Sequence, residues 1–118
     1  MEPGQNYKLI RIFLGESDKL NNVPLYEALV KAAKKEGMNG ATVLRGILSF
    51  GAGSRIHTEK ILELSLDRPV VIEIVDTEDK IGNFLQAINP MIEKAACGAM
   101  ITMEKAEVIL YRQQKKDK

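Results

Sequence analysis

Pro69-Val70-Val71-Ile72-Glu73-Ile74-Val75 runs directly into Asp76-Thr77-Glu78-Asp79-Lys80-Ile81. The first stretch is apolar everywhere but Glu73, is rich in β-branched residues, and keeps its proline at the start. Those features predict a strand. Asp76 can cap a helix after it, and Asp79 in the first turn favours the helix dipole. Ile81, Phe84, Leu85, Ile88 and Ile92 continue as an apolar stripe at helical spacing, with Pro90 kinking or splitting the helix. Upstream, Ala41 to Phe50 (ATVLRGILSF) reads as another strand, so two strands follow each other in mid-chain. Further out, Tyr7 to Leu14 (YKLIRIFL) alternates as a strand closed by Gly15. Pro24 opens a helix at its first position, with Leu25, Ala28, Leu29, Ala32 and Ala33 as its apolar stripe. Gly37 ends that helix after Lys34 and Lys35. Ala99 to Tyr111 is a fourth strand, long enough to predict a bulge near Lys105–Ala106. The order is β-α-β-β-α-β, an α+β ferredoxin-like sandwich: a four-stranded antiparallel sheet with two helices on one face.

The chain has 118 residues, with 45% hydrophobic and 28% charged. That is a one-domain length at globular composition, which excludes disorder and makes 1–118 a single domain. Residues 113–118 (QQKKDK) form a polar tail expected to fray. Seventeen Lys and Arg against sixteen Asp and Glu leave a net charge of +1, without the basic excess of a general nucleic-acid binder. One cysteine, Cys97, cannot pair within the chain, which favours a cytoplasmic setting. One histidine and one cysteine are too few for a zinc site in one subunit. No apolar run approaches the roughly 20 residues that span a bilayer, and the N-terminus lacks a signal peptide's pattern.

Two helices cover one face of such a sheet, so the other face declares its fate through its side chains. If Ile10, Ile12 and Leu14 face the helices, Leu9, Arg11 and Phe13 point away. The same phasing assigns Val43, Arg45 and Ile47 to the far face of the second strand, and Val71, Glu73 and Val75 to that of the third. This face is greasy, with Arg11, Arg45 and Glu73 near its middle. A solvated face carries more Lys, Thr and Glu. Leu9, Arg11, Phe13, Val43, Arg45, Ile47, Val71 and Glu73 are therefore expected at a subunit interface, with Arg11 or Arg45 paired to Glu73.

The chemistry-bearing stretch is Ser49-Phe50-Gly51-Ala52-Gly53-Ser54-Arg55-Ile56-His57-Thr58-Glu59. Two glycines two apart let the backbone turn and bring its N–H groups near a ligand oxygen. Arg55, His57 and Lys60 can add charge. The stretch is not a P-loop, because no Gly-Lys-Ser/Thr follows. A second glycine point, Cys97-Gly98, leads into the fourth strand. No Ser-His-Asp, paired-carboxylate or metal-ligand set assembles, so the parts of a hydrolase are missing. RNA recognition on this topology needs aromatic residues on the central strands, and those positions are aliphatic. Acylphosphatase chemistry wants a basic loop after strand one, where Glu16 and Asp18 stand instead.

Ser49-Phe50-Gly51, His57-Thr58-Glu59 and Pro69 to Val75 resemble the strand–loop–strand region of PII nitrogen-regulatory proteins. Thr42-Val43-Leu44-Arg45-Gly46-Ile47, Phe50-Gly51, Ile56-His57-Thr58, Pro69 to Glu73, Pro24 to Ala28, and Asp76 with Lys80-Ile81 are similar to the PII-like domain-of-unknown-function 190 family over nearly the whole chain. That resemblance implies a compact trimer with inward-turned sheets and an adenine nucleotide in the cleft between subunits. It implies that Ser49, Phe50, Gly51 and Gly53 border the nucleotide, with Val75, Asp76, Gly98, Ala99 and Met100 near it. Arg112 would reach a neighbour's phosphate. The glycine–lysine pair that grips phosphates in PII proteins is Gly98-Ala99 here, which favours AMP or ADP over ATP, with Arg55 and His57 supplying charge. The loop Ala52 to Leu66 is shorter than the PII signalling loop and holds no tyrosine for modification.

The expected function is that of a non-enzymatic, trimeric regulator without a cofactor. It takes an adenine nucleotide as effector and acts on a partner protein, such as a membrane transporter or channel, through the loop between strands two and three. Two other readings remain open: a trimeric assembly module that needs no nucleotide, and a metal- or small-ion-responsive protein using His57 or the Asp76–Asp79 acids.

Overall fold

The computed structural model describes residues 1–47 and 68–114. Strand β1 spans Tyr7–Gly15, and the two-residue strands β2 (Lys19–Leu20) and β3 (Val23–Pro24) pair with each other. Helix α1 spans Leu25–Lys35, β4 Thr42–Arg45, β5 Pro69–Thr77, α2 Glu78–Ala95 and β6 Met100–Ala106. The sheet runs β4-β5-β1-β6, antiparallel throughout. The predicted ferredoxin-like sandwich is the one observed, with the β2–β3 ribbon added. That ribbon turns on Asn21 (φ 52°) and Asn22 (φ 69°), both left-handed, as a two-residue hairpin loop requires.

The core is where the alternation places it. Ile10, Ile12 and Leu14 of β1 and Val70, Ile72 and Ile74 of β5 are buried under the helices. They meet Leu25, Leu29 and Ala33 of α1 and Ile81, Phe84 and Ile88 of α2. Those triplets sit four, or three and four, residues apart, which keeps each on one helical face. Gly37 takes φ 82° beyond α1, and the Met38 N–H returns to the Ala33 carbonyl at 3.0 Å, closing the helix as predicted.

Several local expectations are corrected. Pro24 precedes the first helical residue rather than being it, because its extended backbone (ψ 130°) finishes β3. Thr77, not Asp76, caps α2, its hydroxyl accepting from the Lys80 N–H at 3.4 Å. Asp76 is still in β5, and its side chain is buried. Pro90 does not split α2, which continues to Ala95. Strand β6 pairs with β1 in unbroken register from Phe13↔Met100 to Tyr7↔Ala106 and ends there, without a bulge, because β1 offers no partner before Tyr7. Strand β4 is shorter than Ala41–Phe50. Gly46 follows its last residue, sending its N–H to the Pro69 carbonyl at 2.7 Å. Residues 48–50 lie outside the described set.

The far face is also rephased on β4. The register pairs Thr42 with Glu73, Val43 with Ile72, Leu44 with Val71 and Arg45 with Val70. Directly paired residues project to the same side, so Thr42 and Leu44 share the far face, whereas Val43 and Arg45 lie on the helix side. Ile47 is past the strand and 91% exposed. The phase was ambiguous because Val43 and Leu44 are apolar neighbours. β1 and β5 follow the predicted phase: Leu9↔Val75, Arg11↔Glu73 and Phe13↔Val71.

Candidate functional site

Three features outside the core carry chemistry. On the far face, Arg11 donates from Nε to Glu73 at 2.9 Å and from Nη1 to Glu104 at 2.6 Å, bridging β5, β1 and β6. The two carboxylates, Glu73 foremost, hold the guanidinium more firmly protonated than usual. The anticipated Arg11–Glu73 pair is therefore present, while Arg45 pairs with Glu16 on the other side. Leu9, Phe13, Val71 and Val75 surround the trio half-buried, and Met100 lies exposed beside Phe13. Glu104 escaped the sequence reading, although the alternation Met100, Thr102, Glu104 along β6 carried its signal.

The second feature is the sheet end where the chain leaves for and returns from residues 48–67. The Gly46 N–H bonds Pro69, the Glu16 N–H donates to the Arg68 carbonyl at 2.8 Å, and Arg45 reaches Glu16. These contacts tie the exit, the return and the end of β1 together. Gly46 is needed on steric grounds: a Cβ there would lie 2.7 Å from Pro69 Cγ. Next to them, the Gly15 N–H donates to Asp18 Oδ2 at 2.8 Å. The Cys97 thiol is raised above its ordinary value, first by desolvation and then by Asp18. Gly98, Ala99 and Met100 follow, exposed, with Met100 opposite Phe13 at this same sheet end.

The third feature lies at the opposite end. Asp76 is fully buried; its Oδ2 accepts from the Asn39 N–H at 3.0 Å and from Asn39 Nδ2 at 3.2 Å, and its Oδ1 from the Thr77 N–H at 2.8 Å. Lys80 Nζ donates to the Gly37 carbonyl at 2.8 Å. Both contacts fasten the α1–β4 connection to the start of α2, and an open cavity of about 350 Å³ beside them is lined by Tyr7, Asn39, Asp76, Thr77 and Lys80 together with Met1, Glu2 and Gln5. Asn39 was not foreseen. Its neighbours Gly37 and Gly40 mark a loop, but nothing local points to Asp76.

The predicted nucleotide residues thus divide within one chain. Gly98, Ala99 and Met100 share the sheet end with both flanks of the 48–67 segment. Val75 and Asp76 pair with Leu9 and Lys8 at the other end. Phe13 lies four residues beyond Leu9 along β1, about 13 Å of strand. Arg112 is exposed beyond β6, past the Tyr7 end. Ser49, Phe50, Gly51, Gly53, Arg55 and His57 lie outside the described residues. Among the described residues, no three His, Cys, Asp or Glu side chains gather as a metal site. No helix there is long and apolar enough to cross a membrane.

Comparisons with known proteins agree on family and fold. The DUF190 family model, described as an uncharacterized ACR, matches residues 7–108. A UPF0166 protein of Aquifex aeolicus (strain VF5) is 40% identical over 102 residues, covering 86% of this chain and 92% of that protein. A UPF0166 protein of Methanocaldococcus jannaschii is 36% identical over 86 residues, covering 73% and 79%. Among solved structures, CPII, a nitrogen regulatory PII-like protein from Thiomonas intermedia K12 bound to ADP, AMP and bicarbonate, aligns with a TM-score of 0.63. It does so at 16% identity, over 91% of this chain and 97% of that one. At that identity the likeness is one of fold.

Proposed function

The chain belongs to the DUF190 family, and from that premise we propose that it is a PII-like regulatory protein. It binds an adenine nucleotide between the subunits of a homotrimer and signals to a partner protein through the segment joining β4 to β5. The observation that carries this reading is the shared fold with CPII, a protein whose structure holds ADP and AMP. Within this chain, the support is the convergence of Gly98–Met100 with both flanks of the glycine-bearing 48–67 segment at one sheet end. Small residues there let backbone N–H groups approach phosphate oxygens. Alanine at position 99, in place of a lysine, leaves less positive charge for a third phosphate, so AMP and ADP bind in preference to ATP. The far face supports self-association: half-buried Leu9, Phe13, Val71 and Val75 are costly to leave in water.

Nucleotide binding that orders the segment shifts partner affinity by as much as the nucleotide discriminates between the segment's states, and no more. The test is calorimetric titration of AMP and ADP into wild-type protein and the Gly51→Asp variant. The variant places a carboxylate against the phosphates, so binding is lost while the trimer mass is kept. Unchanged affinity in the variant would displace the site from this segment.

A further inference from the structure

The charges at the sheet end where β4 stops are arranged around one guanidinium. Arg45 is the last residue of β4 and pairs with Val70, whose partner on the other side is Leu14. The Arg45 side chain leans across the start of β5 and donates from Nη2 to the carboxylate of Glu16, two residues past Leu14. The pair stands partly in water, with the Arg45 side chain 52% exposed and that of Glu16 25%. An ion pair so placed adds little stability, so the guanidinium changes partners at small cost.

Glu16 belongs to a tight turn. The Asp18 N–H donates to the Gly15 carbonyl at 3.2 Å, and the Gly15 N–H to Asp18 Oδ2 at 2.8 Å. This turn lies between Arg45 and the approach to β6. Asp18 hydrogen-bonds the Cys97 thiol, and Gly98, Ala99 and Met100 follow it, exposed. Met100 pairs with Phe13, two residues before Gly15. Gly98, Ala99 and Met100 offer backbone N–H groups but no cation. Glu16 and Asp18 both repel a phosphate that arrives here, unless a cation stands against it. Arg45 is that cation, and its planar fork suits pairs of phosphate oxygens.

We propose that Arg45 is the phosphate-binding cation of the nucleotide site and that Glu16 competes for it. Glu16 holds the guanidinium while the site is empty and yields it to a phosphate of AMP or ADP. A terminal phosphate carries more negative charge than a carboxylate and presents more oxygens, so it attracts the guanidinium more strongly. The proposal rests on the nucleotide reading above and names the charge that sets the affinity of that site.

Calorimetric titration of ADP into wild type, Arg45→Gln, Glu16→Gln and the double variant tests it, each protein first checked for native circular dichroism and wild-type mass. Arg45→Gln is expected to bind ADP about tenfold more weakly. Arg45→Lys keeps the charge but loses the fork; it is also expected to bind more weakly, and it takes the place of Arg45→Gln if that variant does not fold. Glu16→Gln is expected to bind up to about fivefold more tightly. Adding Glu16→Gln to either Arg45 variant that lacks the fork is expected to bring a smaller gain, and none in Arg45→Gln, because the competitor has lost its object. Unchanged affinity in either single variant overturns the competition and leaves the nucleotide reading standing. So does a Glu16→Gln gain that persists in full without Arg45, which would mean simple repulsion of the phosphate. Wild-type protein that binds no ADP overturns both.

Discussion

Asp76 shows what a single residue does here. Its carboxylate is buried and answers three N–H donors from Asn39 and Thr77. Asp76→Ala leaves those donors without their partner, and the expected loss of about 3 kcal/mol is read as a lower urea midpoint. Gly46 is as constrained by space as Asp76 is by hydrogen bonds. Gly46→Ala forces the Pro69 ring to move, at a cost of about 1–3 kcal/mol in the same assay, whereas Gly40→Ala, open on its Cβ side, leaves the midpoint near that of wild type. The raised Cys97 thiol has a sign that can be checked. Above the ordinary thiol value the unfolded chain has lost a proton that the folded chain keeps, so stability falls as pH rises through that window. Iodoacetamide labelling near pH 8 should be slower than for a free thiol, and faster in Asp18→Asn; equal rates would contradict the Asp18 contribution. None of these three roles was legible in sequence. Each depends on a residue distant along the chain: Asn39 for Asp76, Pro69 for Gly46, Asp18 for Cys97.

At the scale of elements the sequence is far more readable, because periodicity is a local property. The alternation of β1 and β5 and the stripes of both helices contain every apolar core residue except Tyr7, while Ala28, Ala32, Leu85 and Ile92 of those stripes are only half-buried. The reading failed where the pattern was short or doubly apolar. Val43-Leu44 admits two phases, and only the β5 register selects one. At the start of α2, Asp76 and Thr77 are both competent caps, and burial of Asp76 leaves the task to Thr77. Pro90 sits exposed inside α2 and lacks the N–H that an interior residue donates four positions back. Pro90→Ala restores that donor, and thermal unfolding is expected to show a gain of about 1–3 kcal/mol. A loss would mean that the proline matches a bend the fold requires.

For the whole molecule, the proposed assembly turns on the far face. With Arg45 on the helix side, its charges are Arg11, Glu73 and Glu104, one cation to two carboxylates, set among Leu9, Phe13, Leu44, Val71, Val75 and Met100. Self-association through this face works against that excess of negative charge. Glu104→Gln is therefore expected to hold the trimer together at severalfold lower protein concentration, and Arg11→Ala to release it at higher concentration, both read by sedimentation. In the proposed trimer the nucleotide lies between protomers, so residues at the two sheet ends of one chain would serve different sites. The most direct test is titration of AMP, ADP and ATP in turn into the wild-type protein, with its mass fixed by light scattering in the same buffer. Saturable binding near one nucleotide per subunit of a trimer is expected, with AMP or ADP tighter than ATP. No heat and no thermal shift with any of the three would contradict it.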